Sequence, residues 1–537
     1  MYQHWFVSRQ KRKLTQLLLA TIAFSDFCVG EKWRGNKELQ LKLEDELQNR
    51  EITNHGSLRA RKSNDGGGGI RTLFKQLRDL GLVFVEDDNG KCRLTLIGED
   101  LVKGKVTFVD AMRLQLQRYQ YPSATTFKGT GSISSDFRIH PFQFIFRLLR
   151  DERLENKLTA DEMAGIVIHY AKSDSKDNFE KIVNLIVKYR VLGNIDEFKA
   201  DTKNTYGNIA NTFFNYIEIT QYINRSPKAI HIRSGKEDAV DKFIQEKPTF
   251  IPHPELQENY IRAYGKGFVA KDLRNFDKEG IKSQREINEA RISREYVLTS
   301  LKTPITGITQ DVIDAIVLNT GIDERTVEKY LLKNYPNGNV DDFFVSYKEL
   351  SNLSAEGATE FEIATGELFK KIFKMDYKHV GPKGNSPDVL VESERNNFCG
   401  IIDTKAYQKG YSISGDHRRV MIDVYIPEYQ KYGQTQLPLA FYSYVSGSFK
   451  KNIDADIKKI CDATGVDGCA MPVDILIKLA QDYAEKRYSH LDVKKIFSVN
   501  REVRLADLDN LGQNTFSYSD IQYENSLRVA ENDEENP

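Results

Sequence analysis

The stretch NSPDVLVESERNNFCGIIDTKAY, Asn385 to Tyr407, decides how the C-terminal part of the chain is read. Asp388 follows a proline and opens DVLVES, an apolar run of strand length. The turn SERNN (Ser393–Asn397) leads into GIIDTKAY, a second short strand that is apolar at its start. Strand side chains alternate between faces, so Asp403 and Lys405 share one face and Thr404 points away. Paired as a hairpin, the two strands let Asp388 meet Asp403 near a strand end. Either these are three surface charges, whose ion pair contributes little, or they form a site.

Phosphodiester hydrolysis gives those residue types a common purpose. It needs an attacking water and relief of the charge that builds on the phosphate. Two carboxylates such as Asp388 and Asp403 bind Mg2+, which keeps several waters in its octahedral shell. The ion polarises the phosphate and orients the water. The backbone carbonyl of Thr404 is a third protein ligand in this reading, and Lys405 holds the water or stabilises developing negative charge.

Outward from this stretch, GATEFEIATGELFKKIF (Gly357–Phe373) carries Phe361, Ala364, Leu368 and Ile372 at helical spacing. From about Phe361 the pattern is helix, strand, strand, helix, strand, which is α/β. Nearer the N-terminus, a glycine run precedes Ile70, Leu73, Phe74, Leu77 and Leu80 at helical spacing, with Gly81 as the stop. LVFVEDDNGKCRLTL then predicts a hairpin across an Asp-Asp-Asn-Gly turn. Helix followed by hairpin is half of a winged-helix unit. The same order returns at Phe213–Arg233, with Asn-Arg-Ser-Pro as the turn. Residues 140–190 read as mostly helical, and 255–350 as a charged helical stretch.

The 537 residues exceed one compact domain. Hydrophobic content of 40% with 29% charged residues fits folded, water-exposed units. LTQLLLATIAF (Leu14–Phe24) is too short to span a membrane, and no small-residue cleavage site follows it, so it reads as a buried helix and the expected home is the cytoplasm, with no membrane partner. The 5 cysteines are odd in number and widely spaced, which argues for reduced thiols. With 77 basic and 77 acidic residues, a nucleic-acid signal has to come from local patches.

The C-terminal region resembles the FokI-like cleavage domains of type IIS restriction endonucleases, members of the PD-(D/E)xK nuclease superfamily. The residues that carry the likeness are Glu367 in GELFKKIF, Lys378–Gly381 (KHVG), Pro387–Asp388, IIDTKAYQKGY (Ile401–Tyr411) and YVSGSFKKN (Tyr444–Asn452). The resemblance implies that Asp388 and Asp403 are metal ligands, Lys405 the catalytic lysine and Glu367 a supporting catalytic acid on the first helix. RYQYPSATTFKG…IHPFQFIFRLL (Arg118–Leu149) and LGLVFVEDDNGKCRLTLIG (Leu80–Gly98) are similar to the recognition region of the nicking-type type IIS large subunits. Those relatives carry a Glu where this chain has Asp403.

The resemblance implies Mg2+ as cofactor, double-stranded DNA as partner and a companion DNA methyltransferase in the same system. It also implies DNA contact by Arg71, Lys75 and Arg78, which lie on one face of the predicted helix. The arm Arg9, Lys11, Arg12 and Lys13 and the loop residues Arg59 and Arg61 are candidates for phosphate contacts; otherwise they are solvated charges. Cleavage domains of this kind pair through a helix after the catalytic strand. The matching stretch, GDHRRVMIDVY (Gly415–Tyr425), places Arg419 and Asp423 four apart, in the reverse charge order. A reciprocal pair works in either order across a two-fold axis, so a transient homodimer follows; an intrahelical pair is the plainer alternative.

The expected architecture is multidomain α+β. A winged-helix-type DNA-recognition unit spans 1–140 and a second, helical and winged-helix-like, spans 141–254. A helical linker (255–350), an α/β PD-(D/E)xK nuclease domain (351–528) and a disordered acidic tail (529–537) follow. The activity expected is a type IIS site-specific deoxyribonuclease that cuts outside a short asymmetric site. The alternatives are a strand-specific nicking enzyme, one subunit of a heterodimeric enzyme, or a winged-helix DNA-binding regulator without catalysis.

Overall fold

The structure is a computed structural model that describes residues 3–8, 14–50, 52, 68–127, 136–199, 205–226, 228–276, 283–353, 357–381, 386–407, 409–509 and 511. Arg9, Lys11, Arg12, Lys13, Arg59, Arg61 and the acidic tail lie outside them. The chain divides into two compact units, one of residues 1–301 and 307–346, the other of residues 302–306 and 347–537.

In the first unit, the helix Gly68–Asp79 buries Ile70, Leu73, Phe74 and Leu77, the stripe that its spacing predicts. Phe74 packs on Trp33 with ring centroids 4.1 Å apart. The helix stops at Gly81, where φ is +67° and a Cβ would stand 2.5 Å from the Tyr264 ring. Strands β1 (Val83–Val85) and β2 (Cys92–Leu94) follow as the expected antiparallel hairpin, with Phe84 opposite Arg93. The second helix–hairpin is also present. The helix Thr205–Ile219 leads to β4 (Ile223–Arg225) and β5 (Ala229–Ile232), and β3 (Lys157–Thr159) completes a three-stranded sheet in the order β3-β5-β4. That third strand falls in the stretch read as mostly helical. It is three residues long, too short to leave a period in the sequence.

The charged helices expected as a linker over 255–350 pack, as far as Ser346, into this first unit. Tyr260, Ile261 and Tyr264 are buried there. Asp342 is fully buried, and its carboxylate accepts from the Phe108 and Val109 amides at 3.2 and 3.0 Å. Arg113 pairs with Asp341 at 2.7 Å. The polar surface of these helices hid the narrow apolar faces that fix them.

The N-terminal segment threads into the same unit. Trp5 Nε1 donates to the Ala171 carbonyl at 2.7 Å, and the Tyr216 hydroxyl donates to the Ser8 carbonyl at 2.8 Å. Asp79, 2% exposed, accepts from the Ser8 amide (3.0 Å), Ser123 Oγ (2.7 Å) and the Tyr119 hydroxyl (3.3 Å).

The second unit is built on a six-stranded sheet in the order β11-β10-β9-β8-β7-β6. Its strands are β6 (Asp376–His379), β7 (Val389–Ser393), β8 (Phe398–Lys405), β9 (Leu439–Ser446), β10 (Asp467–Pro472) and β11 (Arg501–Glu502). β6, β7 and β8 are antiparallel; β8 to β11 are parallel. Alternation sorts the residues of β8 and β9 between two faces. Phe398 and Phe441 face the helices Ala358–Lys371 and His490–Phe497, with Phe441 4.9 Å from Phe497 and Phe369 5.6 Å from Phe497 between ring centroids. Cys399, Ile401, Tyr442 and Tyr444 join Met421, Ile457 and Ile460 in the core on the other face. Gly400 is required where the two strands shift register, because a Cβ there would lie 2.3 Å from the Phe441 ring.

Candidate active site

The predicted hairpin forms: β7 and β8 pair with Val389 opposite Ile402. Extending that register by one residue brings Asp388 level with Asp403. Asp403 and Lys405 lie at the end of the face whose inner part is the Ile401–Tyr444 core. Asp403 is 4% exposed, and its Oδ2 accepts from Lys405 Nζ at 2.6 Å. Its other oxygen, Oδ1, is buried with no hydrogen-bond partner among the described residues. A buried, bare carboxylate oxygen is costly unless something takes its charge.

Asp388 is held from below. Its Oδ2 accepts from the Thr404 amide at 2.6 Å and from Thr404 Oγ1 at 2.9 Å, so Thr404 orients one acid while the flanking residues of its strand supply the other acid and the lysine. Burial, then the neighbouring Asp403 charge, pushes the Asp388 carboxyl up to about 8, against the pull of Lys405 and Thr404. At Lys405, burial opposes the charge, but Asp403 and Asp388 outweigh it and hold the ammonium above its ordinary value. Two crowded carboxylates, one with a free inner oxygen, fit a divalent cation. Among the described residues no group of three or more His, Cys, Asp or Glu side chains forms a metal site. Any cation here draws its remaining ligands from backbone, water or substrate.

The Glu367 carboxylate accepts from the Tyr377 hydroxyl at 2.8 Å. Glu362, on the same helix, adds to burial and the larger effect of Asp403 in raising Asp388. It bonds His379 Nε2 at 2.9 Å, and His379 is level with Val389, next to Asp388. Tyr377 and His379, the partners of Glu367 and Glu362, both belong to β6, a short, exposed strand that went unseen in the sequence.

An aromatic shell surrounds the acids. Tyr444 is level with Asp403 across β8 and β9. Tyr411 packs on Tyr444 with centroids 5.6 Å apart. Burial first, and then the charge of Asp403, raise the phenols of Tyr411, Tyr425 and Tyr444. Sequence reasoning missed these tyrosines, although all three stand in the motifs IIDTKAYQKGY, GDHRRVMIDVY and YVSGSFKKN.

On the helix Gly68–Asp79 the three basic residues part company. Arg71 is exposed, and Lys75 is half-buried with Nζ 6.0 Å from the Phe6 ring centre. Arg78 turns inward instead. It donates to Gln257 Oε1 at 2.5 Å and lies 5.7 Å from the Phe74 ring centre. Burial, then the nearby Arg34, lower its pKa to about 10. Arg78 is committed to packing, by a partner 179 residues away in sequence. Phe142, Phe144 and Phe146 are core residues.

The helix after the catalytic strand runs over Gly415–Val420 and widens into a π turn, Met421–Tyr425. Arg419 and Asp423 are both exposed and form no ion pair with each other or with any other described residue. The intrahelical pairing is absent, and both charges are left outward. Among the described residues, no helix is long and apolar enough to cross a membrane.

Residues 321–504 match the family model of the FokI cleavage domain. Residues 109–247 match the N-terminal domain of the type II restriction endonuclease HgaI. Type II restriction enzyme StsI of Streptococcus sanguinis is 29% identical over 161 residues, which cover 28% of this chain and 26% of that relative. The match thus spans about a quarter of the curated relative's length. Among solved structures, restriction endonuclease FokI matches at 13% identity over 94% of this chain and 100% of that chain, with a TM-score of 0.29. FokI bound to DNA matches at 14% identity over 93% of each chain, also at 0.29. The BpuJ1 endonuclease binding domain, solved in complex with modified DNA, matches at 14% identity over 49% of this chain and 95% of that chain, at 0.34. These superpositions are too loose to align one site with another.

Proposed function

We propose that this chain, a FokI-like type II restriction enzyme by family, is a type IIS endonuclease that binds a short asymmetric duplex site and hydrolyses the backbone outside it with Mg2+. The observation that carries the reading is Asp403 Oδ1, buried and without a hydrogen-bond partner among the described residues, on a side chain whose other oxygen pairs with Lys405. Asp388, Asp403 and the Thr404 carbonyl would hold the ion. When bound, Mg2+ supplies Lewis acidity toward the phosphate and lowers the pKa of a bound water. The chain's own residues do the rest. Thr404 fixes the Asp388 carboxylate through two hydrogen bonds. Lys405, pinned to Asp403 Oδ2, presents a positive charge where negative charge develops on the phosphate oxygens.

Recognition falls to the two helix–hairpin regions, which we read as winged-helix-type. Arg71 and Lys75 would approach the major groove, and Arg9, Lys11, Arg12, Arg59 and Arg61 would neutralise phosphates. Two copies would pair on DNA through Arg419 and Asp423 to cut both strands. Such an enzyme works in the cytoplasm beside a methyltransferase that protects host sites.

Supercoiled plasmid with Mg2+ tests this. Linear product with ends displaced from a common sequence is the expected result. Open circle alone would identify a nicking enzyme or a subunit in need of a partner. Bound but uncut DNA would overturn the reading in favour of a regulator.

A further inference from the structure

The helix that turns Arg419 and Asp423 outward carries His417, Met421 and Tyr425 four residues apart on its inner side. Met421 is fully buried in the cluster that contains Tyr411 and Tyr444, and Tyr425 packs against that cluster. The π turn is closed by the Ile426 amide donating to the Met421 carbonyl at 3.1 Å. Such turns interrupt helices where a side chain has to be re-aimed, often at functional sites. His417 is tied to the catalytic sheet twice. Its Nδ1 lies 2.7 Å from the Tyr411 hydroxyl, with the two rings stacked at 5.8 Å, and its carbonyl accepts from the Tyr444 hydroxyl at 3.3 Å. Tyr444 is level with Asp403.

We propose that His417 is a positioning residue of the nuclease centre. Through Tyr411 and Tyr444 it holds the strand end that carries Asp403 and Lys405. The helix therefore looks two ways, outward with Arg419 and Asp423 and inward with His417 and Met421. This rests on the nuclease reading above.

The test uses the full chain with His417→Phe and His417→Asn, and measures single-turnover cleavage, DNA affinity with Ca2+ in place of Mg2+, and thermal melting. Phenylalanine keeps a ring and removes the polar atom that meets Tyr411; asparagine keeps a polar atom there. Groups that orient a metal centre from outside it typically change activity roughly 10–100-fold. That loss is expected for His417→Phe, with DNA affinity and melting unchanged, and His417→Asn should recover part of it. If His417→Phe cuts at the wild-type rate, the histidine merely packs and the proposal falls. It also falls if the loss in His417→Phe follows a lowered melting temperature. A wild-type chain that does not cut DNA would instead remove the nuclease reading itself.

Discussion

Asp79 and Asp403 are both carboxylates removed from water, at 2% and 4% exposure, and they are treated oppositely. Asp79 is met by a backbone amide and two hydroxyls, drawn from the N-terminal segment (Ser8) and from the stretch Tyr119–Ser123. Asp403 is given one ion pair, to Lys405, and an oxygen left bare. A satisfied buried carboxylate joins segments together. An unsatisfied one is a demand that the fold leaves for a ligand to meet.

The comparison breaks first at Asp403. Asp403→Ala should lower plasmid cleavage on the order of 1,000-fold while DNA binding and melting stay at wild-type values. A cutting Asp403→Ala chain would place the chemistry elsewhere. The mirror experiment is Asp79→Ala. Stranding three donors should cost about 3 kcal/mol in urea unfolding of the first unit, yet the folded fraction should still cut. An unfolding midpoint equal to that of wild type would show that the Asp79 bonds join nothing.

Reversing one charge at the outward helix should be milder. Arg419→Asp alone should slow double-strand cleavage roughly tenfold and leave nicking, and mixing it with Asp423→Arg should restore linear product. Unchanged duplex cleavage by Arg419→Asp would end the idea of paired copies. On the recognition helix, Arg71→Ala should weaken specific DNA binding about tenfold. Arg78→Ala should instead lower stability, since its guanidinium is spent on Gln257. Equal losses of affinity in both, measured by fluorescence anisotropy, would contradict the inward placement of Arg78.

The smallest effect concerns pH. Burial raises Asp342 to about 6. Between about pH 4, the ordinary aspartate value, and pH 6, the folded chain holds a proton that the unfolded chain has released. This contribution to stability is present below that window and is lost as pH rises through it. Asp342→Asn should flatten the decline in melting temperature across the window; an unaltered slope would assign it to other groups.

The hairpin of β7 and β8 was legible in the sequence because alternation and a turn fix which side chains share a face. Asp388, Asp403 and Lys405 all belong to that one hairpin, and the bond from Thr404 to Asp388 spans 16 residues. The helix–hairpin order at Gly81 was legible for the same local reason. What failed was long-range. Glu362 went unread because its partner, His379, lies on β6, a strand too short and exposed to leave a pattern. The inward bond of Arg78 went unread because Gln257 is 179 residues away. The stretch 255–346 read as a linker because its charges are many and its buried face is narrow, as Tyr260, Tyr264 and Asp342 show.

The burial of Trp5 has a practical consequence. The chain has 2 tryptophans, Trp5 and Trp33, and both are buried in the first unit. Intrinsic indole emission therefore reports the unfolding of that unit alone, while the tyrosine-lined nuclease unit stays dark at tryptophan wavelengths. A single spectrometer can then watch Asp79 and Asp342 variants loosen one half of the molecule without any signal from the half that holds Asp403.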